Sequence, residues 1–72
     1  MLEEIEVIKQ VGRKIKAFRK QQKITQSQLA FEAGIPRIQI IRIEKGDINT
    51  TIKTLTQIGN ALGVHPKDLL DF

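Results

Sequence analysis

Two arginines and a glutamine stand among five isoleucines in residues 34–46, GIPRIQIIRIEKG. Guanidinium and carboxamide groups make paired hydrogen bonds with planar partners, arginine with guanine and glutamine with adenine, while an apolar neighbour can touch a thymine methyl. Isoleucine is β-branched, so the stretch taken alone has the composition of a strand. Other side chains offer less chemistry. His65 is the single imidazole and has no ligand set beside it, so a capping or turn role outweighs metal binding. Ser27 and the threonines lack a histidine partner and a glycine elbow, which leaves nucleophilic catalysis without support. The chain therefore reads as a non-enzyme with no metal and no cofactor.

The elements that position these groups must fit in 72 residues without cysteine. That is one domain, near the lower size limit for a core without disulfide or zinc staples. The first ten residues, MLEEIEVIKQ, carry three glutamates and do not resemble a signal peptide, and no apolar run approaches a membrane span. A cytoplasmic protein is expected. The net charge of +4 is unevenly spread. Glu3, Glu4 and Glu6 make the start acidic, whereas Lys9, Arg13, Lys14, Lys16, Arg19, Lys20 and Lys23 follow with no acidic residue between them. Such a block suggests a polyanion partner, although a solvated helix face would look the same.

From Leu2 to Gln22 the apolar residues Leu2, Ile5, Ile8, Val11, Ile15 and Phe18 recur in steps of three and four, which predicts an amphipathic helix. Lys9, Arg13, Lys16 and Lys20 form a basic stripe on another face. In ITQSQL, Thr25 and Gln28 make a capping box, stapled by Ile24 and Leu29, so a second helix begins at Gln26. It ends near Ala33, because Gly34 can adopt the left-handed conformation. Pro36 suits the first turn of a third helix running to Lys45. Asp47 to Thr51 reads as a loop with a threonine N-cap, followed by a fourth helix with Ile52, Leu55, Ile58 and Leu62 at helical spacing. Gly59 inside it implies a close neighbouring backbone, and Gly63 closes it. His65 or its neighbour caps a last short helix with Pro66 in its first turn. The fold class is all-α, with five helices and no linker.

On the third helix, counting about 100° per residue makes Ile40 and Ile43 the inward direction, with Ile35 packing from the turn. Ile38 and Lys45 point outward, Ile41 and Arg42 lie on the outer flanks, and Arg37 and Gln39 lie at the sides. A short helix presenting these groups after a tight turn has the shape and chemistry of a major-groove reader.

The stretch TQSQLAFEAGIPRIQIIRIEKG resembles the helix-turn-helix of the Cro and phage-repressor family of bacterial regulators, the xenobiotic-response-element type. The resemblance rests on Gln26, Leu29 with Ala30, Gly34, Ile40 with Ile43, and Glu44-x-Gly46. It continues through Gly12, Ile15, Phe18 and Arg19 upstream and Asn49, Leu55, Ala61, Leu62, Gly63 and Leu69 downstream. It covers about residues 11–70 of a single domain, leaving 1–10 as an extension of helix one. It implies a five-helix, lambda-repressor-like DNA-binding fold. It also implies that Arg37, Ile38, Gln39 and Arg42 read bases, and that Thr25, Gln26, Lys45 and Asn49 hold phosphates. Arg19 and Glu44 would form an internal ion pair.

Several positions depart from that pattern. Pro36 replaces a small hydroxyl residue, and Asp47 and Ile48 stand where basic residues are common. Ile38 and Ile41 replace polar residues; they either touch thymine methyls or face protein, Ile41 especially against the second helix. The resulting expectation is a transcriptional regulator that binds double-stranded DNA as a homodimer on a near-palindromic operator, without membrane or small-molecule effector. The C-terminal helix, with Leu70 and Phe72, is favoured over Leu2, Ile5 and Ile8 as the dimer surface. The alternative is an antitoxin or adaptor that holds a partner protein through Ile38, Ile41, Ile48 or the terminal helices.

Overall fold

The computed structural model describes residues 3–72. Four α-helices, α1 (Glu4–Gln21), α2 (Gln26–Ala33), α3 (Arg37–Lys45) and α4 (Ile52–Leu62), precede one short 3-10 helix, Pro66–Leu70. Among the described residues there is no strand. The isoleucine-rich stretch is helical because its flanks dictate it. Thr25 Oγ1 accepts from the Gln28 amide at 3.0 Å and Gln28 Oε1 accepts from the Thr25 amide at 2.7 Å, closing the capping box. Gly34 then ends α2 in the left-handed region, with φ 73°, and Ile35 donates back to the Ala30 carbonyl at 3.1 Å. Only two residues separate that glycine from α3.

Three boundaries differ from the sequence expectation. Helix α1 starts at Glu4, and Leu2 lies outside the described residues. Pro36 occupies the N-cap of α3 with extended ψ of 143°, one position before the first helical residue. The fifth element is a 3-10 turn rather than an α-helix, in keeping with five residues between a cap at His65 and extended backbone at Asp71.

Each element sends at least one side chain to full burial: Ile15 from α1, Leu29 from α2, Ile40 and Ile43 from α3, Ile58 from α4 and Leu69 from the 3-10 turn. Helical spacing points to Ile15, Ile40, Ile43 and Ile58, the capping-box staple to Leu29 and the family resemblance to Leu69, whereas spacing misplaces two others. Ile52 is 72% exposed, since it stands roughly 90° round the helix from the mean of Leu55, Ile58 and Leu62. Ile5, which could have extended the core, is 61% exposed; it lies roughly 120° round α1 from Val11.

Helices α1 and α3 meet more closely than side chains would allow. A Cβ on Gly12 would collide with the backbone carbonyl of Ile43 and lie 2.9 Å from that of Glu44. Glycine at that point lets the last turn of α3 rest directly on α1. The expected close approach at Gly59 is also present, against the Val64 carbonyl at 3.0 Å from a built Cβ. At the far end the Gln22 side-chain Nε2 donates to the Leu62 carbonyl, tying the ends of α1 and α4. Among the described residues no helix is long and apolar enough to cross a membrane.

Candidate nucleic-acid interface

The inner side of α3 is fixed by two kinds of contact. Ile40 and Ile43 are buried in the core, and the buried carboxylate of Glu44 accepts two bonds from Arg19, Nε to Oε2 at 2.7 Å and Nη2 to Oε1 at 3.0 Å. Arg19 Nη1 donates to the Ile24 carbonyl at 3.0 Å, and Gln26 Nε2 donates to Glu44 Oε1 at 3.1 Å. One carboxylate thus joins α1, the start of α2 and the end of α3. The hydrogen bonds that Arg19 donates to Glu44 raise the arginine's pKa above its ordinary value, against an opposing effect of burial. The charged pair therefore contributes fully below that ordinary value and is lost on the arginine side only above the raised one, far from neutrality.

The outer side of α3 is free. Arg37, Arg42 and Lys45 are exposed, Ile38 is 55% exposed, and Gln39 and Ile41 are half-buried. Among the described residues Arg19 and Glu44 make the ion pair, so the three outward cations keep their charge available. Because Glu44 is already neutralised, the exposed Asp47 is the acidic group that opposes them in the following loop. Ile48 stands in that loop in place of a cation because it packs against the core.

The remaining expected positions divide. Thr25 and Lys45 are exposed at the start of α2 and the end of α3, and Asn49 is exposed in the loop beyond. Thr25 Oγ1 is an acceptor in the capping box, which leaves its hydroxyl proton and the first amides of α2 to meet an anion. Gln26 is different. Its carboxamide is committed to Glu44, a tertiary role that spacing alone does not reveal. His65 serves as a cap, its Nδ1 accepting from the Lys67 amide at 3.1 Å.

Phe31, 86% exposed on α2, was not among the expected site residues. Counting residues would have found it, because it lies opposite Leu29, Ala30 and Ala33, the buried side of that helix. A second exposed apolar region surrounds a groove of about 150 Å³ lined by Val7, Ile8, Val11, Ile52, Leu55 and Leu70.

Comparison with known proteins gives this geometry a family. The model of a family described as Helix-turn-helix matches residues 15–69. The chain is 42% identical over 62 residues to the control protein C.BamHI of Bacillus amyloliquefaciens, covering 85% of this chain and 76% of that protein. It is 43% identical over 54 residues to the immunity repressor protein of Bacillus phage phi105, covering 75% of this chain but 38% of the repressor. A solved structure of a point variant of C.Esp1396I bound to its highest-affinity operator site superposes with a TM-score of 0.78 at 30% identity, covering 90% of this chain and 96% of that one. The chain belongs to the helix-turn-helix family of DNA-binding regulators, in its Cro and phage-repressor group.

Proposed function

We propose that this chain is a sequence-specific transcriptional regulator that lays α3 in the major groove of double-stranded DNA and acts as a homodimer on a near-palindromic operator. The observation that carries this reading is the division of α3. Its inner residues are locked by the core and by Arg19, while Arg37, Ile38, Gln39 and Arg42 face outward or sideways without partners that would hold them back. Held this way, the arginines can pair with guanine, Gln39 with adenine, and Ile38 with a thymine methyl. Thr25, Lys45 and Asn49 would hold phosphates on either side, with the backbone of Gln26 in place of its engaged side chain. The operator-bound C.Esp1396I relative supports duplex DNA as the ligand class.

The dimer surface we propose is the end of the molecule where exposed Ile52 and Leu70 line the apolar groove and Phe72, two residues beyond Leu70, is also exposed. Two copies joined there would place their α3 helices on half-sites about one helical turn, roughly 34 Å, apart. Selection of bound duplexes from a random pool, with the molar mass of the free protein measured in parallel, tests both parts. A two-fold symmetric consensus and a dimer mass are expected. A protein that binds no duplex at low salt yet co-purifies with one partner would instead favour the adaptor reading, for which exposed Phe31 and Ile38 are the observations on offer.

A further inference from the structure

The basic stripe of α1 is left unused by the reading above. Gly12 and Arg19 fix which side of α1 touches the end of α3, since Gly12 meets the Ile43 and Glu44 carbonyls and Arg19 holds the Glu44 carboxylate. Val11 and Ile15 fix the side that enters the core. Counting round the helix from those markers, Lys9, Arg13, Lys16 and Lys20 fall within an arc of roughly 60°, beside the α3 contact and away from the core. All four are exposed. Lys14 falls outside the arc and is occupied, its ammonium 5.8 Å from the centre of the Phe18 ring.

Lys9 joins this arc to the proposed interface directly. A Cβ built on Gly46 would lie 2.7 Å from Lys9 Cγ and 3.0 Å from its Cα, so the lysine stem lies across the residue that ends α3, next to Lys45. Lys9, Gln10 and Arg13, with Glu6, line a shallow polar cleft at this place. Among the described residues no carboxylate forms an ion pair with Lys9, Arg13 or Lys16. The loop after α3 contributes Asp47, which repels a phosphate, so an anionic strand passing the end of α3 finds its cations on α1 instead.

We propose that Lys9 and Arg13, continued by Lys16, form a second phosphate-binding strip that follows the DNA backbone beyond the end of the recognition helix. Lys9 and Arg13 precede the residues matched by the family, which begin at 15. The strip supplies affinity without base selection, because it meets phosphates rather than base edges. It rests on the proposed DNA-binding function.

The test is the salt dependence of binding by the full chain to two probes: the tightest duplex recovered from a random pool and a duplex of scrambled sequence. Each phosphate contact contributes about 0.9 to the slope of log affinity against log salt. The double variant Lys9→Met, Arg13→Gln keeps the stem over Gly46 and should lower that slope by nearly 2 for each bound protomer, nearly 4 for a dimer, on both probes, leaving their order of preference intact. A fourfold rise in salt should then cost the variant about tenfold less affinity per bound protomer, about a hundredfold less for a dimer, than it costs the native chain. Glu6→Gln removes the one acidic group in the cleft and should tighten binding to both probes. Lys67→Gln, on the 3-10 turn, should leave the slope unchanged. An unaltered slope in the double variant, or an equal change per charge from Lys67→Gln, overturns the strip while leaving DNA binding in place. Failure of the native chain to bind either probe at low salt overturns the functional reading as well.

Discussion

The two sides of α3 are built from alternating residues of one nine-residue helix, yet they do opposite things. On the inner side every group is held: Ile40 and Ile43 are 0% and 1% exposed, and Glu44 accepts from Arg19 and Gln26. On the outer side Arg37, Ile38, Arg42 and Lys45 are exposed. The difference explains how so short a helix can present long, flexible side chains in a defined place. Rigidity comes from the buried side, and the proposed recognition falls to the side that the core leaves free. Substitutions on the two sides should therefore separate into losses of folding and losses of affinity.

The largest effect is expected at the ion pair. Glu44→Gln leaves the Arg19 guanidinium buried without its counter-charge, a change that costs on the order of 3–5 kcal/mol. Urea unfolding should show the midpoint falling with its slope preserved, and a loss below about 1 kcal/mol would mean that the pair does not hold α3 in place. Gly12→Ala tests the same side by a different route. The added methyl meets two backbone carbonyls that cannot rotate away, so a loss of about 1–3 kcal/mol in the same assay is expected.

How much of this division can be read from residue order depends on how far apart the partners lie. The second and third helices were legible because their signals are local: Thr25 with Gln28, then Gly34, then Pro36. Periodicity also separated Ile40 and Ile43 from Ile38, since burial on one face is a property of a single helix. The commitment of Gln26 to Glu44 was not legible, because it crosses 18 residues and depends on where Arg19 has already placed the carboxylate. The placement of Ile41 likewise depends on its neighbours outside α3, and the residue is half-buried. The fold was thus clearer in the sequence than the detailed assignment of the site, whose contacts with a ligand remain those proposed above.

Changes on the outer side should leave folding alone. Arg42→Ala is expected to weaken binding to the selected duplex by about 1–3 kcal/mol while sparing scrambled sequence, because the proposed bidentate contact to a base would be lost. Lys45→Ala should weaken all duplexes and flatten the salt slope by about one unit for each bound protomer, the signature of a phosphate contact. Titrations of both probes across a salt series distinguish the two, and thermal unfolding should find each variant as stable as the native chain. A loss of stability at Arg42 would blur the line between the sides.

The smallest and most selective effect is expected at Ile38, the residue that makes this outer face unusual. A side chain 55% exposed among arginines loses apolar contact with water only when something covers it. If that cover is a thymine methyl, replacing thymine by uracil in the selected duplex removes one carbon and should cost the native chain up to about 0.8 kcal/mol, the value of one buried methylene. Ile38→Ala should bind the thymine and uracil duplexes equally, since the partner for the methyl is then missing on the protein side. Equal sensitivity to uracil in both proteins would place the methyl against another residue and leave Ile38 for a protein contact. The comparison needs no assumption about overall affinity, because each protein serves as its own reference across the two duplexes.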